Sequence, residues 1–352
     1  MLGGLVGTRS FLVTFLGFDD DIVRSNTLRI MVTGGSGFIG TNLVEFFSTR
    51  GDEVLNLDIA APRNSSHHSF WHPGDLLDGN GLRSLIRDFS PEVIFHMGAR
   101  TDLDGRSVDD YAANTIGVEN LIAAVEGATS LRRLIFASSR LVCRIGYTPK
   151  NEFDYCPTTP YGESKVIGEK LVRDAISRLP CPTLIVRPTS IWGPWFDVPY
   201  KTFFLTIARE QYVHPGAGRI LKSFGFVGNT VHELARLIDA PANAVAGKTF
   251  YLADYPPINV AVMANTIQQK LGVKPIKSVP VAVLRPAAWA GDCLKAFGWR
   301  NPPLTSFRLD NLLTPMVHDL VPLQTVVGAL PYSMEEGVRM TVDWLRVQGE
   351  VS

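Results

Sequence analysis

A doubly wound α/β fold with a smaller C-terminal lobe is what this 352-residue sequence predicts, and three observations carry the expectation. From Leu28 onward, short apolar runs alternate with longer amphipathic stretches, the pattern of repeated β-α units feeding a parallel sheet. A glycine-rich turn, Thr33-Gly34-Gly35-Ser36-Gly37-Phe38-Ile39-Gly40, stands where the first run gives way to the first helix. After Pro188 the spacing turns irregular, with Gly193, Pro194, Pro199, Pro215, Gly216 and Gly218 punctuating shorter elements, as a separate lobe requires. An apolar content of 45% is enough to fill cores of that extent.

The strands are expected at 28–33, 54–58, 93–97, 133–137 and 183–187, separated by helices near 38–49, 80–89, 108–127 and 161–178. Near the end, Met334, Val338, Val342 and Leu345 recur at helical spacing and predict a terminal helix over 333–347, docked on the body. The chain therefore divides into an N-terminal extension (1–27), a nucleotide-binding domain (28–190) and a segment (191–352) that mainly builds the substrate lobe and returns in part to the first domain. The apolar run 11–18 is too short to span a bilayer and is followed at once by Asp19, Asp20 and Asp21. A surface-packed extension, or a start at Met31, explains it better than a targeting signal.

The 34 basic and 34 acidic residues cancel, so overall charge favours neither nucleic acid nor an anionic membrane as partner. Cys143, Cys156, Cys181 and Cys293 are scattered without a Cys-x-x-Cys pair, which argues against a metal site or a disulfide framework and fits a reducing, cytoplasmic setting.

Within the glycine-rich turn, Gly34, Gly37 and Gly40 each answer a physical need. A tight strand-to-helix turn takes only glycine where φ is positive, a pyrophosphate must reach bare backbone, and the helix must lie close to the sheet. The helix opening at Phe38 and Ile39 then directs unpaired N–H groups and its positive dipole end at the phosphates. Asp58, at the end of the second strand, is placed to accept hydrogen bonds from the adenosine ribose, where a 2′-phosphate would be repelled. The expected cofactor is therefore NAD rather than NADP, although Arg63 stands nearby.

Tyr161 and Lys165 fall four residues apart, on one face of a helix. A phenol of ordinary pKa about 10 becomes a base near neutrality only where positive charge stabilises its phenolate, and Lys165 with an oxidised nicotinamide would supply that charge. The fourth strand ends in Phe136-Ala137-Ser138-Ser139, at the carboxyl edge where open α/β sheets hold ligands. Ser139 is expected to face the reacting carbon, with Ser138 engaged in local backbone bonding.

Taken with Gly74-Asp75-Leu76, His96-Met97-Gly98-Ala99, Asn114, Arg187-Pro188 and Trp192-Gly193-Pro194, these residues resemble the extended short-chain dehydrogenase/reductases, the NAD-dependent epimerase/dehydratase group, over most of the chain. The resemblance implies a Rossmann fold and a homodimer formed through the helices near 108–127 and 161–178. Asp75 and Leu76 would border the adenine, Ala99 and Pro188 would lie against the cofactor, Asn114 would brace the active-site helix, and Lys165 would also hold the nicotinamide ribose. Read from the residues alone, Asp75 is equally a capping acid and Asn114 a structural amide. The implied first step is oxidation: Tyr161 takes a hydroxyl proton while hydride leaves for the nicotinamide, and Ser139 hydrogen-bonds the reacting oxygen.

Departures from the family pattern narrow the chemistry. Where nucleotide-sugar dehydratases of the family carry Thr-Asp-Glu, this chain has Ser139-Arg140-Leu141, which lacks the acid and base for elimination. Val142-Cys143-Arg144 replaces the Val-Tyr-Gly frequent in epimerases, Lys222-Ser223 replaces an Arg-Asp pair, and Asn229 replaces an Asp. Lys222 would bind a diphosphate as a point charge with Arg219 nearby, or the two are equally a solvated basic pair; Ser139 and Trp192 would complete the substrate site. The leading expectation is a nucleotide-sugar epimerase or reductase working through a keto intermediate. The alternative is a dehydrogenase or reductase of a non-nucleotide, hydroxysteroid-like substrate, with which Pro303-Leu304-Thr305 and Leu330-Pro331-Tyr332-Ser333 are also compatible. A non-enzymatic nucleotide sensor would not need Ser139, Tyr161 and Lys165 together.

Overall fold

In the computed structural model the described residues are 27–216, 218–299 and 304–352, so the readings of the extension (1–26) and of Pro303 lie outside them. The first half alternates β1 (Arg29–Thr33), α1 (Phe38–Thr49), β2 (Glu53–Asp58), β3 (Trp71–Pro73), α2 (Gly79–Phe89), β4 (Val93–His96), α3 (Ile116–Val125), β5 (Arg133–Ala137), α4 (Pro160–Ala175) and β6 (Thr183–Pro188). The lobe begins with β7 (Ser190–Trp192) and α5 (Tyr200–Ala208), followed by β8 (His214–Pro215), β9 (Leu221–Lys222) and β10 (Phe224–Phe226). The chain then runs through α6 (Val227–Asp239), α7 (Ala242–Val245), β11 (Thr249–Leu252), β12 (Ile258–Asn259), α8 (Val260–Leu271), β13 (Ser278–Val279), α9 (Val281–Ala296), α10 (Ser306–Leu313), α11 (Val321–Val327) and α12 (Met334–Val347).

The main sheet is parallel and seven-stranded, in the order β11-β6-β5-β4-β1-β2-β3. Strands such as β1 are buried on both sides because helices cover both faces, and their sequences are accordingly apolar runs rather than alternating patterns. Leu43, Val44 and Phe47 of α1 share a core with Leu234 of α6 and Leu323 of α11 on one face. On the other, Leu82 and Ile86 of α2 meet Leu121 and Val125 of α3. The chain leaves β1 for β2 on one side and returns to β4 on the other, so the crevice for a ligand opens at the carboxyl ends of β1 and β4.

Three features differ from the sequence expectation. The helix over 108–127 is divided: Val108–Asn114 is a 3-10 segment interrupted at Tyr111, and α3 begins only at Ile116. Two edge strands are absent from the expected set: β3 is too short for a periodicity to show, and β11 is the segment of the lobe half that joins the main sheet. The lobe is held by an aromatic core around Trp192, Phe204 and Phe226, with α12 fixed at its start by the Ser333/Glu336 capping box. Asn229 donates to Asp254 Oδ1 (2.8 Å) and to the Tyr332 carbonyl (2.9 Å) while accepting from the Tyr332 amide. A carboxylate at 229 has no proton to donate and would face Asp254, whose own carboxyl burial pushes up to about 7.

What fixes α4 on the sheet is a fully buried, bidentate ion pair. Arg187 of β6 donates through Nε and Nη2 to the two oxygens of Glu169, both at 2.8 Å. Its remaining donors reach the Tyr251 hydroxyl (3.1 Å) and the Glu152 carbonyl (2.6 Å), and the Tyr155 hydroxyl donates to Glu169 at 2.9 Å. Satisfying nearly every donor is what makes so costly a burial tolerable. Glu169→Ala strands the guanidinium, and we expect it to lower unfolding free energy by about 3–5 kcal/mol in urea titrations; a loss below about 1 kcal/mol contradicts this role.

Candidate active site

The nucleotide cradle follows from three bare backbone positions. Gly34 has φ +69°, and a Cβ there would lie 2.6 Å from the Cα of Gly98 on the neighbouring strand end; a Cβ on Gly40 would lie 2.1 Å from the Gly34 carbonyl oxygen. Gly37 caps α1 with no side-chain acceptor, which leaves the N–H groups at Phe38 and Ile39 facing a space where a Cβ would meet only the Gly34 oxygen, at 3.1 Å. That open, uncapped helix start fits a dinucleotide pyrophosphate. Thr33 Oγ1 bridges His96 Nδ1 (2.8 Å) and the Gly98 amide (3.1 Å), tying β1 to β4 beneath the crevice. Burial, with the nearby Lys165 charge, holds His96 neutral, its pKa down at about 3.

Asp58 is half-buried; its Oδ2 accepts from the Ser36 amide (3.0 Å) and its Oδ1 from the Ala60 amide (2.9 Å). It therefore shapes the glycine turn, and each oxygen keeps a lone pair for a ribose hydroxyl. Arg63 is drawn toward the lobe by the Trp195 carbonyl (3.2 Å) and Asp197 (3.7 Å). Leu76 is buried against Gly98, Ala99 and Pro188 are half-buried at their strand ends, and Asp75 is exposed and accepts from the Leu77 amide.

The start of α4 is fixed by Thr159, whose hydroxyl accepts from the Gly162 amide, with Pro160 in the first turn. Tyr161 and Lys165 are both buried on the face this creates. Lys165 Nζ donates to the Ala137 carbonyl at 2.9 Å; burial lowers its pKa to about 8, against the pull of Glu169 one turn on. Burial pushes the Tyr161 phenol above its ordinary value, while a hydrogen bond with Ser139 and the charge of Arg140 pull it down. Ser139 also accepts from the Leu141 amide (3.1 Å), and the Ser138 hydroxyl, expected in backbone bonding, is buried without a partner.

Asn114 spends both amide hydrogens within the protein, on the Arg100 carbonyl (3.0 Å) and Ser164 Oγ (2.9 Å), and Ser164 bonds the Tyr161 carbonyl. It is thus a brace for α4, with no donor left for the cofactor. In the lobe, Trp192 is fully buried against Phe204 and Phe226, where no ligand reaches it. Lys222 is also buried and donates to the Asn311 carbonyl at 2.6 Å, whereas Arg219 is exposed. Sequence reasoning passed over Glu169, although the spacing of Tyr161, Lys165 and Glu169 at four and eight residues was the signal that all three share a helix face. Among the described residues no cluster could hold a metal ion, no helix is long and apolar enough to cross a membrane, and the four cysteines are free thiols.

The model of the NAD dependent epimerase/dehydratase family matches residues 30–253. The chain is 28% identical over 335 residues to a 2-alkyl-3-oxoalkanoate reductase from Stenotrophomonas maltophilia, covering 89% of this chain and 98% of that one. It is 25% identical over 323 residues to an N-acetyl-alpha-D-glucosaminyl-diphospho-ditrans,octacis-undecaprenol 4-epimerase from Escherichia coli O157:H7, covering 90% and 95%. The fold matches that of the UDP-glucose 4-epimerase from Thermotoga maritima with a TM-score of 0.70, at 19% identity and with 91% and 99% of the two chains covered.

Two substitutions test this geometry. Gly40→Ala forces the α1 start away from the turn and should weaken NAD binding about 10- to 100-fold by calorimetry; unchanged affinity would refute the cradle. Ser139→Ala removes a group that lowers the Tyr161 pKa, so the pH–rate profile for alcohol oxidation should shift to higher pH and turnover should fall about 100- to 1,000-fold; an unshifted profile would show that the hydroxyl does not act on the phenol.

Proposed function

Because the chain belongs to the NAD dependent epimerase/dehydratase family, we propose that it is an NAD-dependent dehydrogenase or reductase of a non-nucleotide hydroxy or keto substrate. The observation that carries this choice is Lys222. The ammonium expected to grip a nucleotide diphosphate is buried and committed to a main-chain carbonyl. The reductase from Stenotrophomonas maltophilia, by its name acting on an oxoalkanoate, is matched over nearly its whole length.

NAD, when bound, accepts hydride from the carbinol carbon. The protein's own part is proton transfer and placement. Tyr161 takes the hydroxyl proton and Ser139 donates a hydrogen bond to the reacting oxygen. Lys165, anchored on the Ala137 carbonyl with two further donors, would hold the nicotinamide ribose, while the charge that reaches the phenol within the protein is that of Arg140. Burial raises the Tyr161 pKa and Ser139 with Arg140 opposes that rise, so positive charge brought near the phenol would favour its role as base.

A second reading, 4-epimerisation of a diphosphate-linked sugar, is favoured by the near-full-length match to the Escherichia coli epimerase and by the exposed Arg219. Tyr161→Phe separates chemistry from binding: NAD affinity should stay within about twofold while turnover of hydroxy substrates drops about 100- to 10,000-fold. Unchanged turnover would exclude the phenol as base.

A further inference from the structure

We propose that Arg140 is a specificity residue that binds a carboxylate carried one or two carbons from the reacting oxygen, so that the preferred substrate is a hydroxy or keto acid. The inference rests on the functional reading above and deepens it. Arg140 directly follows Ser139, at the turn where β5 ends, so the residue after the oxygen-binding hydroxyl is a half-buried guanidinium. Its Nη1 lies 3.0 Å from the sulfur of Met316, a weak acceptor, and among the described residues it forms no ion pair.

The surroundings add positive charge without compensating it. Residues 316–318 run beside β9: the Met316 amide donates to the Leu221 carbonyl (3.0 Å), the Ser223 amide donates to the Met316 carbonyl (2.8 Å), and the His318 amide donates to Ser223 Oγ (3.0 Å). This seats Met316 between Arg140 and buried Lys222, and Lys222 has a carbonyl as its partner rather than a carboxylate. His318 stacks on Tyr251 with ring centroids 4.3 Å apart, and its Nε2 is buried without a partner. Burial lowers Lys222 and His318 and the Arg140 charge adds to it, and the same charge opposes the rise that burial imposes on the Tyr161 phenol.

A half-buried guanidinium with no counter-ion, backed by a buried ammonium, is a site lacking an anion. Lys222 supplies field, being covered, while Arg140 supplies contact. Its planar fork matches a carboxylate with two parallel N–H···O bonds, and its place next to Ser139 sets the spacing between that carboxylate and the reacting oxygen.

The test uses the full chain loaded with NADH, whose fluorescence reports ligands entering the site, and the pair 3-hydroxyoctanoate and its methyl ester. The native protein should bind the acid about 10- to 100-fold more tightly than the ester. Arg140→Gln should erase that preference with NADH affinity unchanged, and Arg140→Lys should restore part of it. Equal binding of acid and ester, binding of neither, or a preference that survives Arg140→Gln overturns the assignment. A preference that holds while no hydroxy substrate transfers hydride would instead overturn the functional reading and leave the anion site standing.

Discussion

The buried pair of Arg187 and Glu169 is the constraint on which the site depends. It lies between β6, the strand next to the sheet edge, and the helix that carries Tyr161 and Lys165, and Glu169 occupies the same helix face as these two, one turn beyond Lys165 and two beyond Tyr161. A bidentate contact between a planar fork and a carboxylate restricts rotation as well as distance. Helix α4 therefore cannot roll on the sheet without breaking it, and the lysine and phenol are delivered to the carboxyl end of β5 at a fixed angle. Asn114 adds a second point of attachment through Ser164, closer to Tyr161. The two anchors hold α4 at Ser164 and at Glu169.

Much of this was legible in the sequence, for identifiable reasons. The five long strands of the first half and the glycine turn carry local signals: most of these strands are short apolar runs, and Gly37 and Gly40 answer steric demands within the turn, whereas Gly34 also clears Gly98 on a distant strand end. What escaped notice depends on contacts between distant segments. β11 lies outside the expected strands, and its pairing with β6 is what assigns it to the main sheet. At the interruption the Tyr111 ring packs against Tyr161 of α4, with centroids 5.9 Å apart, and its hydroxyl bonds the Asp102 carbonyl and the Gly105 amide. Trp192 looked like a ligand platform because aromatic residues cluster in the lobe, yet the same cluster is what buries it.

The lobe shows how departures from a family pattern acquire physical meaning. Asn229 stands where a carboxylate would collide with Asp254, and its amide links the start of α12 to the end of β11. Lys222 is buried and holds the Asn311 carbonyl at the end of α10. These residues tie lobe segments together, and Arg140 is the cation whose charge reaches the Tyr161 phenol.

The central claim is that this constellation oxidises or reduces a free substrate with exchange of the cofactor. The most direct measurement follows reduced nicotinamide absorbance after mixing the protein with excess NAD and a hydroxy acid at alkaline pH, scored as moles of NADH per mole of protein. Continued accumulation over many turnovers is the predicted result. A rise that stops at or below one equivalent, with the cofactor retained on the protein, would contradict net oxidoreduction and point to a closed cycle in which the hydride is returned to the substrate.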